Sequence, residues 1–147
     1  MTDEAYQQRT AAFAAMLIKQ AAWPAAIVIV GDSVAPLVAS ARSALNAPIA
    51  VLALLVAAAS AVAVLGLSAL LLFDALLFRL IASHDDEVSG GAAVDDILAR
   101  MRLKPGPATP RPLDDRIAGT RRLLARQRIA LAIFVVAFLA AGFWMPR

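Results

Sequence analysis

The stretch APIAVLALLVAAASAVAVLGLSALLLF, Ala47 to Phe73, contains 27 residues and no charged side chain. A helix that crosses a bilayer needs about 20 predominantly apolar residues, so this stretch is long enough to span with some tilt. The whole chain of 147 residues is 61% hydrophobic, with a mean hydropathy of +0.75, whereas ordinary soluble domains are about 45–50% apolar. Because a chain of this size buries only about two-thirds of its surface, the sequence predicts a transmembrane helix rather than a large soluble core.

A second apolar stretch, Ile129 to Met145, has 17 residues and follows Arg126 and Arg128. Its length is at the short end of the range for a spanning helix. Basic residues at one end of such a stretch are typical of the cytoplasmic interface. We therefore expect a second span here.

The first apolar stretch, Ala11 to Val30, has 20 residues but carries Lys19 near its middle. A central lysine costs about 2.5–3.5 kcal/mol of insertion free energy, and the large apolar side chains of this stretch return roughly 2–4 kcal/mol. Hydropathy alone therefore leaves two alternatives. The stretch either spans, or lies in the membrane plane as an amphipathic helix with Tyr6, Phe13 and Leu17 on one face.

The distribution of basic residues favours spanning. Ten of the 14 Lys and Arg residues lie between Asp74 and Arg128, and the positive-inside rule puts this loop in the cytoplasm. The 46 residues before Ala47 must then span the membrane or be translocated whole, and spanning is the more economical alternative. A cleaved signal peptide is the less favoured alternative, because Asp3 and Glu4 precede the first basic residue where a positive region is expected.

The predicted fold is therefore all-α: a polytopic helical membrane protein with three transmembrane helices and a cytoplasmic helical loop. We expect the N-terminus inside and the C-terminus outside. Four segments result: an N-terminal amphipathic or marginal transmembrane helix plus an outer-side turn (1–46), a long helix that reaches the cytoplasmic interface (47–82), a charged loop (83–128) and a C-terminal transmembrane helix (129–147).

The charged loop contains a predicted short helix, Ala93 to Lys104. Its apolar residues recur at i, i+3, i+4 and i+7, the period of one helix face; they are Val94, Ile97, Leu98 and Met101. Ser89 is the predicted N-cap, with Gly90 and Gly91 as a break behind it. The proline-rich segment 104–112 predicts a semi-rigid linker, and a new helix is expected to begin near Leu113 and to continue into the last span.

The block Gly31-Asp32-Ser33 follows an apolar run and resembles the opening motif of the GDS-type lipases and esterases, which would make Ser33 a nucleophile. A serine nucleophile needs a base within reach. The only histidine, His84, is predicted on the opposite side of the membrane, and the D-x-x-H pattern of that family is absent. We therefore interpret the block as a polar turn and predict no catalytic residue.

Metal, cofactor and nucleic-acid sites are not predicted either. The segment HDDE, 84–87, is the candidate cation site, but four successive side chains on a helix point about 100° apart and do not converge. The chain has no cysteine, and no aromatic residues interleave with its arginines as in nucleic-acid modules.

Three sets of residues are predicted to make contacts. Small side chains let helices approach closely, and the predicted helix-packing residues are Ala53, Ala57, Ala61, Gly66, Ala137 and Ala141. Basic side chains attract anionic lipid, and the predicted headgroup contacts are Arg79, Arg121, Arg122, Arg126 and Arg128. Lys19 and Asp74 are candidate buried contacts with a partner; the alternatives are snorkelling for Lys19 and a position at the membrane interface for Asp74.

These patterns favour a non-catalytic accessory or structural subunit of a larger bacterial inner-membrane complex. The expected partners are the lipid bilayer, including anionic lipid, and other membrane-protein subunits. The bacterial assignment rests on the Ala- and Arg-rich composition. The alternative is transport, by a homo-oligomeric pore, a holin-like protein or a small transporter component.

Overall fold

A computed structural model describes residues 3–41, 48–84, 87–101 and 113–144. These residues form four α-helices and no strand: α1, Asp3–Ala41; α2, Pro48–Ala82; α3, Glu87–Arg100; and α4, Leu113–Trp144. Three stretches are long and apolar enough to cross a membrane, Glu4–Leu37, Pro48–Ala82 and Leu113–Phe143. The predicted all-α fold with three potential membrane helices is therefore confirmed, and it fits a membrane location.

The predicted polar turn at Gly31-Asp32-Ser33 is wrong, because α1 continues through it without interruption and ends only at Ala41. The Ser33 hydroxyl donates a hydrogen bond to the Ile29 carbonyl at 2.7 Å, so the serine bonds its own helix instead of starting a turn. Pro24 and Pro36 also lie inside α1. Each proline removes one backbone hydrogen bond but does not end the helix.

The predicted break at Gly90 and Gly91 is also wrong. Both residues lie inside α3, which begins at Glu87, so Ser89 is not its N-cap. A Cβ at Gly90 would lie 3.1 Å from the carbonyl oxygen of Ile81. Glycine is therefore present because α3 approaches the backbone at the end of α2. The helix ends at Arg100, before the predicted Lys104.

The expected start of a new helix near Leu113 is confirmed by α4, which runs from there to Trp144. The proline-rich segment 104–112 lies outside the described residues, as do Asp85 and Asp86 of the HDDE segment.

The chain divides into two compact units. Unit 1 comprises residues 1–20 and 70–123. Its core contains the T-shaped pair Phe13 and Phe78, with ring centroids 4.9 Å apart, and Val94 of α3 is fully buried. Unit 1 holds most of the charged residues of the chain.

Unit 2 comprises residues 21–69 and 124–147. Its core includes a cluster of buried apolar residues: Val28, Ala57, Ala61, Val64, Leu131, Phe134 and Ala137. In its described part the ionisable residues are Asp32, Arg126 and Arg128. Because helices with an apolar outer surface and few charges suit hydrocarbon, unit 2 has the composition of a membrane-embedded region.

Candidate functional site

The first candidate site is a cavity of about 530 Å³ in unit 1. Apolar side chains of α2, α3 and α4 form part of its wall, among them Phe78, Leu98 and Leu123. The polar residues that line it are Asp74, Asp95, Asp115, Arg116 and Thr120. The cavity lining therefore combines apolar side chains with several ionisable groups.

An ion pair between α3 and α4 stands at this cavity. The Nη2 atom of Arg116 lies 2.9 Å from Oδ1 and 3.0 Å from Oδ2 of Asp95. The two side chains are only 14% and 17% exposed. Burial strengthens such a pair because water screens it less, so this contact fastens α3 to α4.

Asp74 is half-buried in the same cavity. Its Oδ2 atom accepts a hydrogen bond from the hydroxyl of Thr120 at 2.9 Å. The predicted partner contact at Asp74 thus has a hydrogen-bond donor within its own chain. Lys19, the other candidate for a partner contact, is exposed, and no described residue pairs with it.

The second candidate site is a shallow groove of about 230 Å³ in unit 2. Asp32 stands at its edge, and its floor is made by Ala57, Ala58 and Phe138 together with Leu54. Asp32 is exposed, and no hydrogen bond or ion pair within the described residues involves its carboxylate. Pro36 has no N–H, so the backbone carbonyl of Asp32 also lacks its usual helix partner.

The predicted helix-packing residues fall in different environments. Ala57, Ala61, Ala137 and Ala141 are buried, the first three of them in the core of unit 2. Ala53 is half-buried, whereas Gly66 is exposed, with nothing within 4 Å of where a Cβ would stand. The small side chains therefore serve packing inside unit 2 in three cases at least.

The arginines predicted to contact lipid headgroups are all exposed. They are Arg79, Arg121, Arg122, Arg126 and Arg128. On α4 these arginines are exposed, whereas Ile117, Thr120 and Leu124 are buried.

A buried polar contact joins α2 and α4 inside unit 2. The side-chain amide of Gln127, 1% exposed, donates to the hydroxyl of Ser68 at 2.7 Å. We expect Ser68→Ala to lower the free energy of unfolding by about 1 kcal/mol, because the Gln127 amide loses its acceptor. Unfolding titrations in mixed micelles would measure this.

Ser60→Ala is the matched control, because the Ser60 hydroxyl bonds the Val56 carbonyl of its own helix at 2.8 Å. If Ser68→Ala and Ser60→Ala lowered the free energy of unfolding equally, the contact between Gln127 and Ser68 would have no specific stabilising role.

Residues that the sequence did not single out include Asp32 as a free carboxylate and the pair Arg116–Asp95. For Asp32 a signal was present, since it is the one charged residue between Lys19 and Arg42. The ion pair had no such signal, because its members are 21 positions apart.

Within the described residues no group of three or more His, Cys, Asp or Glu side chains is arranged to hold a metal ion. Comparison of the chain with protein-family models, with curated proteins and with solved structures gave no match.

Proposed function

We propose that this protein is a non-catalytic accessory subunit that packs within a larger bacterial inner-membrane complex. In this proposal unit 2, apart from its residues 124–128, lies in the hydrocarbon core, with the N-terminus and the loop 74–128 in the cytoplasm and the C-terminus outside. The exposed arginines of α4 support this orientation through the positive-inside rule. They also give the cytoplasmic flank an attraction for anionic lipid.

The observation that carries the proposal is the carboxylate of Asp32. It lies inside the apolar stretch Glu4–Leu37, is exposed at the surface of unit 2 and has no partner among the described residues. A charged side chain at membrane depth is costly and generally pairs with another group. A partner that brings a basic side chain to Asp32 would remove most of that cost.

The surface around Asp32 suits a second helix. Ala35 and Ala58 line the groove beside the carboxylate, and such small side chains allow two helix backbones to approach closely. Neighbouring Ile29 is 55% exposed and adds apolar contact area. We therefore propose a transmembrane helix with an arginine or lysine as the occupant of this groove.

A homo-oligomeric pore is less well supported. A pore needs polar side chains along one helix face, but Lys19 and Asp32 lie about 140° apart around a regular α-helix. Parallel copies would also place Asp32 carboxylates near one another, which is unfavourable for like charges.

Recovery of tagged protein from native membranes in a gentle detergent, followed by mass spectrometry, tests the proposal. We expect other membrane subunits in fixed ratio with the wild-type chain. With Asp32→Asn their recovery is expected to fall at least about tenfold, because loss of a charge partner costs about 1.4 kcal/mol or more.

Ser33→Ala is the matched control, since it changes the neighbouring polar residue without removing a charge. A homogeneous homo-oligomer without other subunits would overturn the accessory role. Undiminished recovery with Asp32→Asn would leave that role standing and exclude Asp32 as the contact.

A further inference from the structure

The cavity in unit 1 has the dimensions of a ligand site. Its volume is about 530 Å³, and cavities that hold small molecules typically measure about 300–1,000 Å³. Such sites combine an apolar wall with a few convergent polar groups. Leu77, Phe78 and Leu98 supply the apolar wall here, and Asp74 and Thr120 stand beside them.

One carboxylate oxygen in the cavity is left available for a ligand. Thr120 donates to Oδ2 of Asp74 at 2.9 Å, whereas Oδ1 accepts no hydrogen bond from a described residue. A carboxylate has about four lone-pair positions. Asp74 can therefore accept further hydrogen bonds from an ammonium group in the cavity.

The charges at the cavity favour a cation over an anion. Three carboxylates line it, those of Asp74, Asp95 and Asp115, against the single guanidinium of Arg116. Both oxygens of Asp95 lie within 3.0 Å of Arg116, so the positive charge is already compensated. The two remaining carboxylates are left to attract a positive ligand.

We propose that this cavity binds an amphipathic amine, with a primary ammonium at Asp74 and an apolar body against Phe78 and Leu98. The ammonium supplies three hydrogen-bond donors, and the free oxygen of Asp74 accepts one of them. Such a group has two sources, the ethanolamine headgroup of a membrane lipid and a free alkylamine. Both present a primary ammonium to Asp74.

Hexylamine is the probe for a binding test with the full chain in phosphatidylcholine nanodiscs at neutral pH, where the amine is protonated. We expect it to raise the Tm by several degrees at saturation, because a ligand that binds only the folded state stabilises it. Hexanol and hexanoate, which match its apolar body, are expected to leave the Tm nearly unchanged. Calorimetric titration gives the affinity directly.

Asp74→Asn is expected to weaken hexylamine binding at least about tenfold. Asp114→Asn is the matched control, since Asp114 pairs with Arg9 at 2.8 Å on the exposed surface of the same unit and does not line the cavity. Leu98→Trp is a second test, because it fills the cavity and leaves every charge in place. It is expected to abolish binding.

Nanodiscs that contain phosphatidylethanolamine distinguish the two sources. A lipid ligand would raise the Tm in these discs and remove the response to hexylamine, whereas a soluble ligand would leave both unchanged. The proposal is overturned if hexanol acts as strongly as hexylamine. It is equally overturned if Asp74→Asn and Asp114→Asn change the affinity for hexylamine to the same extent.

Discussion

Replacement of Arg116 by alanine is expected to lower the free energy of unfolding by about 3 kcal/mol. The substitution leaves the carboxylate of Asp95, only 17% exposed, without its compensating charge, and breaking a buried ion pair from one side typically costs about 3–5 kcal/mol. Because this pair joins α3 to α4, the loss is expected first at α3. Hydrogen exchange of the α3 amides, residues 87–100, would then accelerate.

Arg100→Ala is the matched control for this prediction. Arg100 pairs with Asp96 at 2.9 Å within α3, but the two side chains are 78% and 56% exposed. An exposed pair of this kind contributes only about 0.3–0.5 kcal/mol. Equal exchange rates in the two variants would show that the Arg116 pair does not hold α3 in place.

Replacement of Gly31 by leucine is expected to lower the free energy of unfolding by about 2 kcal/mol. A Cβ at Gly31 would lie 2.8 Å from Cζ of Phe134, closer than real Cβ atoms approach, and 3.2 Å from its Cε1. Phe134 is 2% exposed and belongs to the core of unit 2, so its ring must shift for the Cβ to fit. Overpacking of this kind costs about 1–3 kcal/mol, more than leucine gains over glycine in helix propensity.

Gly66→Leu separates the steric effect from the effect of helix propensity within the same unit. Nothing lies within 4 Å of a Cβ at Gly66, so only the helix propensity changes, and the stability is expected to stay constant or rise slightly. Gly31→Leu is expected to cost less in a Phe134→Ala background than in the wild type, because removal of the ring makes room for leucine. Equal effects of Gly31→Leu and Gly66→Leu in thermal or denaturant unfolding would contradict the steric explanation.

Apolar run length was sufficient to predict the long helices. The uncharged residues from Ala47 to Phe73 lie almost entirely in α2, Pro48–Ala82, because a run of this length satisfies its backbone groups only as a helix in lipid. The free energy of insertion around Lys19 was near zero, so hydropathy did not decide whether α1 spans the membrane. The distribution of basic residues favoured spanning. Charge distribution therefore supplied information that hydropathy lacked.

The wrong predictions, a turn at Gly31-Asp32-Ser33 and a break at Gly90 and Gly91, concern residues that are typical of turns but are present here for another physical reason. Gly31, Asp32 and Ser33 are typical turn residues in water, yet in α1 the glycine makes room for Phe134 and the serine bonds Ile29. Gly90 similarly permits close approach to Ile81. The presence of a glycine in the sequence does not by itself distinguish a turn from a close contact between helices.

The candidate sites depended on contacts that are distant in sequence. Thr120 and Asp74 are 46 positions apart, and Arg116 and Asp95 are 21 apart. Neither pair follows from helical spacing within one element, which relates residues three or four positions apart. Only the packing of α2, α3 and α4 brings these groups to one cavity.

The unpaired carboxylate on α1 has a consequence for biogenesis. Asp32 adds an unfavourable charge two residues beyond the stretch Ala11 to Val30, whose insertion balance is already close to zero because of Lys19. In the proposed complex, α1 of a newly made chain would therefore remain in the bilayer securely only after its partner arrives. Chains made in excess would stay incompletely inserted and open to proteolysis, so the supply of the partner would set the cellular amount of this protein.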